Sequence, residues 1–279
     1  MRILLLAILF AGLGSKAQET KWAYETFKDT RIVNGHSVEV NPKGEMKYII
    51  SHRFGALNSG FYNAFGLDQA TMRQGFDFGI SDRLTIGLGR SSFQKTIDGY
   101  LKYKLAYQRS GKENVPVSIT LLTGSAYRGL NFPEDIPYPA SARFSFTNQV
   151  LIARKFSDRF SAQIMPTHVH LNLVELRTDQ NDVFSLGMAA HYQVTYAFAL
   201  NTEFYFTPEN QLSSLPANCF SLGLEFKTKA HVFQLNFSNS QGMTEKFFVT
   251  ETAGSWREGR IHFGFNITRD FKIFPKAYK

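Results

Sequence analysis

The chain has 279 residues, is 43% hydrophobic and 19% charged, and takes nearly all of its 15% aromatic content from 27 Phe and 12 Tyr. A mean hydropathy of −0.21 is too polar for a bundle of membrane helices, and low charge with abundant aromatics excludes coiled coil and disorder. The formal charge of +8 is no nucleic-acid signature, and a lone cysteine, Cys219, builds neither an internal disulfide nor a zinc cluster.

Met1-Arg2, the apolar run 3–14 and Ser15-Lys16-Ala17 have the charged start, short core and small exit residues of a secretory signal peptide. The core is too short to stay in a bilayer as a helix. Cleavage is expected after Ala17. The chain then divides into a signal peptide at 1–17, an N-terminal periplasmic or plug segment at 18–44, a β-barrel at 45–267 and a basic C-terminal tail at 268–279. Segment 18–44 carries Trp22, Tyr24 and Phe27 and either lies below the barrel or enters it.

From Glu45 onward the hydrophobic pattern has period two, which places alternate side chains on opposite faces of strands. Phe220, Leu222, Leu224 and Phe226 alternate with Ser221, Gly223 and Glu225. Ile261, Phe263, Phe265 and Ile267 alternate with Arg260, His262, Gly264 and Asn266. Twelve strands are predicted: 45–54, 71–80, 83–91, 96–108, 116–123, 142–156, 159–170, 182–192, 197–207, 219–227, 231–239 and 257–267. Most have the length a tilted strand needs to cross a bilayer.

A weak repeat marks alternate turns. Ile80-Ser81-Asp82-Arg83-Leu84 matches Phe156-Ser157-Asp158-Arg159-Phe160, and Ile267-Thr268-Arg269-Asp270-Phe271 is a looser copy. Small polar residues of this kind close tight hairpins. The intervening connections are longer, at 55–70, 124–141, 171–181, 208–218 and 240–256, with 92–95 the exception. This segregation points to an all-β fold: a single antiparallel transmembrane-type β-barrel of about twelve strands, with short periplasmic turns and longer outer loops. A secreted soluble β-barrel has the same period but buries its apolar face.

Two runs carry a family resemblance. Thr30-Arg31-Ile32-Val33-Asn34-Gly35-His36 leads to Pro42-Lys43-Gly44 and Ile50-Ser51-His52-Arg53-Phe54-Gly55. Gly79-Ile80-Ser81-Asp82-Arg83-Leu84 continues through Gly87-Leu88-Gly89-Arg90, Asp98-Gly99 and Lys102-Tyr103-Lys104. The chain resembles a family of predicted outer-membrane β-barrels from Gram-negative bacteria, a domain of unknown function. The resemblance is specific over about residues 30–108 and implies export, a barrel and an outer-membrane location. It transfers no catalytic residues.

The polar strand faces are expected to line the lumen. Arg73, Lys102, Lys104 and Arg260 balance Asp77, Asp98, Glu203 and Glu225, which suggests a lumen cross-braced by ion pairs rather than an ion-selective pore. His168 and His170 share a face near the outer rim and lack a third metal ligand of recognisable spacing. Ser185 and His191 also share a face, the minimum for a lipid-hydrolysing trio. Gly87 and Gly89 alternate within a strand with no helix after them, so they read as small interior residues rather than a phosphate loop. Aromatics at strand ends, among them Phe54, Phe78, Phe156, Phe160 and Tyr192, suit membrane-interface girdles. The expected function is non-enzymatic: a narrow channel, transporter component or binding scaffold. It needs no cofactor or metal, its partners are membrane lipid and a small-molecule or ion permeant, and nucleic acid is not among them. The alternatives are an outer-membrane lipid-modifying enzyme and a soluble secreted binding protein.

Overall fold

The computed structural model describes residues 19–132, 138–214 and 216–274. The expected signal peptide and the last residues of the basic tail lie outside these, as do residues 133–137 of the predicted connection 124–141. Twelve antiparallel strands close into one barrel. They are β1 (Glu45–Ala56), β2 (Ala70–Ser81), β3 (Leu84–Ser91), β4 (Ile97–Ala106), β5 (Ser118–Tyr127) and β6 (Phe144–Lys155). The circuit continues through β7 (Phe160–Leu171), β8 (Asp182–Gln193), β9 (Phe198–Phe206), β10 (Cys219–Lys227), β11 (His231–Ser238) and β12 (His262–Lys272). Each strand pairs with its sequence neighbour, and β12 pairs with β1 to close the circuit.

The period-two pattern sorts the faces. Ser221 is fully buried while Leu222 is 39% exposed, and the outer wall shows a continuous belt that includes Leu88, Ile97, Phe184 and Leu235. An apolar surface of that extent is stable only against hydrocarbon, and closure leaves no strand edge unpaired. The tight turns at 82–83, 156–159, 194–197 and 228–230 share one end, the turn end, with the start of β1 and the finish of β12. Connection 107–117 also lies there and holds a short strand, Arg109–Ser110, that pairs with Lys21–Trp22. The longer connections gather at the opposite, loop end.

The last strand differs from expectation. Ile267-Thr268-Arg269-Asp270-Phe271 is no turn. It continues the ladder, with Thr268 opposite Ile49 and Phe271 opposite Met46. The strand therefore runs to Lys272, and the tail expected from 268 begins later. Residues 257–261 belong to the preceding loop, where Ser255 bridges Arg260 and Gly259 turns with φ of 66°. Alternation persists across both stretches, so period alone does not locate the strand's ends; pairing with β1 does.

The barrel is filled from both ends. From the turn end, residues 26–41 rise into the lumen as a hairpin, bridged at Arg31–His36, with Phe27, Ile32, Val33 and Val38 all buried. From the loop end, residues 239–254 fold inward around the helix α1 (Glu245–Thr250), burying Phe247, Phe248 and Val249. The hairpin's apolar residues and Phe248 pack against an apolar stretch of inner wall on β6–β8: Leu151, Met165, Val169, Val183 and Ala189.

Candidate functional site

An irregular hairpin inside a barrel cannot satisfy its own backbone groups, and each orphan left buried costs free energy. The inner wall supplies the missing partners. At the hairpin tip, the backbone N–H groups of Val33, Asn34 and Gly35 donate to the Glu203 carboxylate, the last at 2.9 Å. The Val33 carbonyl accepts from Asn266 Nδ2 at 2.9 Å, and that of Ile32 accepts from Gln234. On the returning arm, Gln163 Nε2 donates to the His36 carbonyl at 2.8 Å, and Lys104 Nζ and Thr120 Oγ1 both donate to that of Val38, at 3.0 and 2.7 Å. Lys102 Nζ reaches the carbonyls of Ser37, Glu39 and Thr30.

Side chains complete the seat. Asn34 donates to Ser221 Oγ at 2.8 Å and accepts from Arg53, whose guanidinium also reaches Asn236. Asp29 accepts from Lys47 Nζ and from Thr268 Oγ1, both at 2.8 Å. Burial pushes the Asp29 carboxyl up, but Lys47, Thr268 and the Thr30 N–H hold it below the usual range. Gly35 has no alternative: a Cβ there would sit 2.2 Å from the Tyr205 hydroxyl. Gly87 and Gly89 are interior residues for the same steric reason, the first making room for Tyr100 and the second for Arg73.

Seven of the eight charges expected in the lumen are there. Arg73 and Asp98 form the one ion pair among them, through Nε–Oδ1 at 2.9 Å and a second contact from Nη2. Asp77 accepts from Thr30 Oγ1 and the Tyr100 hydroxyl, and Glu225 accepts from Asn201 Nδ2 at 2.9 Å. Lys102, Lys104 and Glu203 hold hairpin backbone. Among those seven, cross-bracing is thus limited to one pair; a second wall pair, Lys47 with Asp270 at 2.9 Å, sits at the turn-end rim, and most of the network grips the insert. Arg260 is a correction: it lies in the loop before β12 and pairs with Glu258 at 2.9 Å, half exposed. Sequence alone does not single out Lys47 and Arg53, because Ile49 also faces inward and blurs the alternation of 45–54. Asp29, Arg31, His36, Asn34 and Glu245 are legible only once the inserts are placed.

The two inserts meet at Glu245. Its Oε1 lies 3.6 Å from His36 Nε2 and 3.9 Å from Arg31 Nη1. Burial drives the His36 imidazole well below its ordinary pKa, with Arg31, Lys102 and Arg73 adding repulsion. Burial raises the Glu245 carboxyl, with Arg31 opposing. His36 also packs edge-on against Tyr100, ring centroids 4.4 Å apart. The crevices beside Tyr100 and Arg53 measure about 20 and 10 Å³, room for a single water at most. Above α1, at the loop end, a vestibule of about 400 Å³ opens beside Arg128, Phe132, Tyr138, Arg143 and Phe247. The guanidinium groups of Arg128 and Arg143 lie over the Phe132 ring at 4.7 and 5.0 Å.

The remaining sequence candidates do not assemble. Ser185 bonds the Phe206 carbonyl near the loop end, whereas His191 bonds Asn201 near the turn end, six strand residues or roughly 20 Å away. The two therefore form no nucleophile–base pair. His168 and His170 both face outward and converge on one oxygen of Asp182. Among the described residues no group of three or more His, Cys, Asp or Glu is arranged to hold a metal ion.

A closed, lipid-belted barrel of twelve antiparallel strands with a filled polar lumen defines a membrane β-barrel protein. The sequence matches the family model described as a membrane-bound beta barrel domain (DUF5777) over residues 27–271, and the chain belongs to that family. The match begins at the lumenal hairpin and ends in β12. No curated protein matches the sequence significantly. Among solved structures the fold is similar to the NanC porin, at TM-score 0.50 and 10% identity, covering 81% of this chain and 99% of that one. The KdgM porin is similar at TM-score 0.50 and 9% identity, with the same coverage. At that identity the likeness concerns the fold.

Proposed function

We propose that the protein is a gated narrow channel of the outer membrane, closed by its own N-terminal hairpin, that admits a small solute from the loop-end vestibule. The carrying observation is the chemistry of the seat. Wall side chains of Glu203, Gln234, Asn266, Gln163, Lys102 and Lys104 bind the hairpin mainly through its backbone. Such bonds exchange for water when the hairpin leaves, and a wall so lined is wettable. The bonds to Glu203, Lys102 and Lys104 are charge-assisted and contribute about 1.5–3 kcal/mol each, and the neutral amide bonds about 0.5–1.5 kcal/mol each, enough to hold the closed state but reversible as a set. An interior built only for rigidity would close on apolar side chains, as the β6–β8 stretch does.

Export follows the signal-like start, with cleavage near Ala17, and the turn end faces the periplasm. The permeant enters past Arg128, Arg143 and the rings of Phe132 and Tyr138, then meets α1 and the hairpin tip. The test is current through planar bilayers. The intact protein should stay near the closed level with brief openings. A chain lacking residues 26–41 should conduct steadily. Large steady currents from the intact protein would refute gating by the hairpin. So would silence from a truncated barrel shown by circular dichroism to be folded.

A further inference from the structure

The outer wall carries a feature that a closed lumen does not require. Around β4–β9 it is concave on the lipid side, forming a groove of about 1020 Å³ lined by Leu101, Leu121, Val150, Pro166, Leu186 and Phe206. The groove extends from Leu84 near the turn end to Pro208 at the loop end. Pro166 sits mid-strand without a backbone donor, and the β6–β7 ladder passes from Gln149–Thr167 to Ile152–Ile164 with no partners between.

At the loop-end side of this groove runs a chain of polar side chains, all on the outward face. Thr123 Oγ1 donates to Asn148 Oδ1 at 2.8 Å, and Asn148 Nδ2 lies 3.4 Å from His168 Nδ1. His168 Nε2 and His170 Nδ1 meet Asp182 Oδ1 at 2.8 and 2.7 Å. Four neighbouring strands each contribute at least one member. Polar groups on a hydrocarbon-facing wall are costly unless they meet a partner. With both imidazoles donating to Asp182, the acceptors left open are Asp182 Oδ2 and His170 Nε2. Two ring faces flank them, Phe184 stacked on His168 at 5.0 Å and Phe146 at 6.4 Å from His170.

An occupant must therefore bring hydrocarbon for the groove, donor hydroxyls for the acceptors and a face to lie on the rings. A second copy of the same wall cannot fill it, because two concave faces leave a void between them. We propose that this face binds a glycolipid of the outer leaflet, with its acyl chains in the groove and its sugar hydroxyls on Asp182 and His170. This rests on the outer-membrane reading above, with the loop end outward.

The test uses the full mature chain in phosphatidylcholine nanodiscs, with and without purified rough-type lipopolysaccharide, and counts bound lipid by native mass spectrometry. The wild type should retain one lipopolysaccharide per barrel. A double variant, Asn148→Leu with Asp182→Leu, removes the acceptor carboxylate and the central amide of the polar chain, and Leu186→Trp fills the groove. Each should lower occupancy roughly tenfold, about the contribution of one or two hydrogen bonds. Insertion of each variant is checked by heat-modifiable gel mobility, and occupancy unchanged in either inserted variant would overturn the proposal. Equal retention of phosphatidylcholine would overturn it too, as would disulfide-linked dimers through Thr123→Cys. Failure of the wild type to insert at all, read from heat-modifiable gel mobility, would overturn the membrane reading itself.

Discussion

The inner wall has two unlike halves. On β1–β4 and β9–β12 it presents Lys47, Arg53, Arg73, Asp77, Lys102 and Glu203, nearly all buried and nearly all bonded to the hairpin or to one another. On β6–β8 it presents Leu151, Met165, Val169, Val183 and Ala189, which touch the hairpin's apolar side chains and Phe248. The hairpin is amphipathic to match, with Asn34 and most of its bonded backbone groups toward one half, and Phe27, Ile32 and Val38 toward the other; Gln163 on β7, which bonds the His36 carbonyl, is the exception. The contrast teaches what buried charge does in this lumen. It serves as a set of hydrogen-bond caps for a backbone that has no sheet of its own, while the apolar half fixes the hairpin's orientation.

Removing the hairpin abolishes the difference between the two halves in how they hold it. Deleting residues 26–41 takes away both sets of contacts, and bilayer current should rise from brief openings to a steady level. Next in size is Asp98→Ala, which leaves Arg73 buried without its carboxylate and should cost roughly 3–5 kcal/mol in urea unfolding from lipid. Arg260→Ala, at a charge the lumen does not contain, should lie within about 0.5 kcal/mol of wild type in the same assay. Leu235→Arg, on the lipid face, should destabilise insertion by roughly 2–4 kcal/mol. Ser221→Arg would be harmless in an empty lumen, but here it collides with Asn34 and should raise hairpin release, read as protease cleavage at Lys28 or Arg31.

A smaller effect sharpens the role of the junction between the inserts. His36 is depressed when docked, so it binds fewer protons than when free, and docking should weaken as pH falls through its ordinary value near 6.5. Glu245 is raised when docked, so it opposes that trend, and its contribution fades as pH rises above 4.5. Protease release of the hairpin should increase on acidification from about pH 7.5 to about 5.5, by at most about 1.4 kcal/mol per pH unit. His36→Gln should flatten the profile and Glu245→Gln should steepen it. Smallest of all is Glu25→Ala at the turn-end rim. Burial raises that carboxyl, but Lys227 and Lys28 hold it at about 2. The pair is half exposed, so its loss should change stability by about 0–1 kcal/mol.

The barrel was legible because period two, tight-turn residues and loop segregation all agree. Eleven of the twelve strands stand close to where alternation puts them, and Ser221 and Leu222 face as expected. The last strand slipped by five residues because its register is set by β1, more than two hundred residues upstream, and no local pattern encodes that pairing. The lumen was legible in its residues and not in their roles. Alternation says that Lys102 and Glu203 point inward, but whether they meet each other, water or backbone depends on what occupies the space. The occupant, residues 26–41, is irregular and has no periodicity to read. Asn34-Gly35 at its tip is the one local sign of a turn.

The hairpin's position in the chain bears on how the barrel is assembled. It precedes β1, yet Val33 is hydrogen-bonded to Asn266, 233 positions away, on the strand that joins the seam. A hairpin anchored to early strands through Lys102 and Lys104 offers the late ones a template: Glu203, Ser221, Gln234 and Asn266 each find a fixed partner before the circle is complete. Folding around such a mandrel converts a very long loop closure into a series of shorter captures, each less costly in chain entropy.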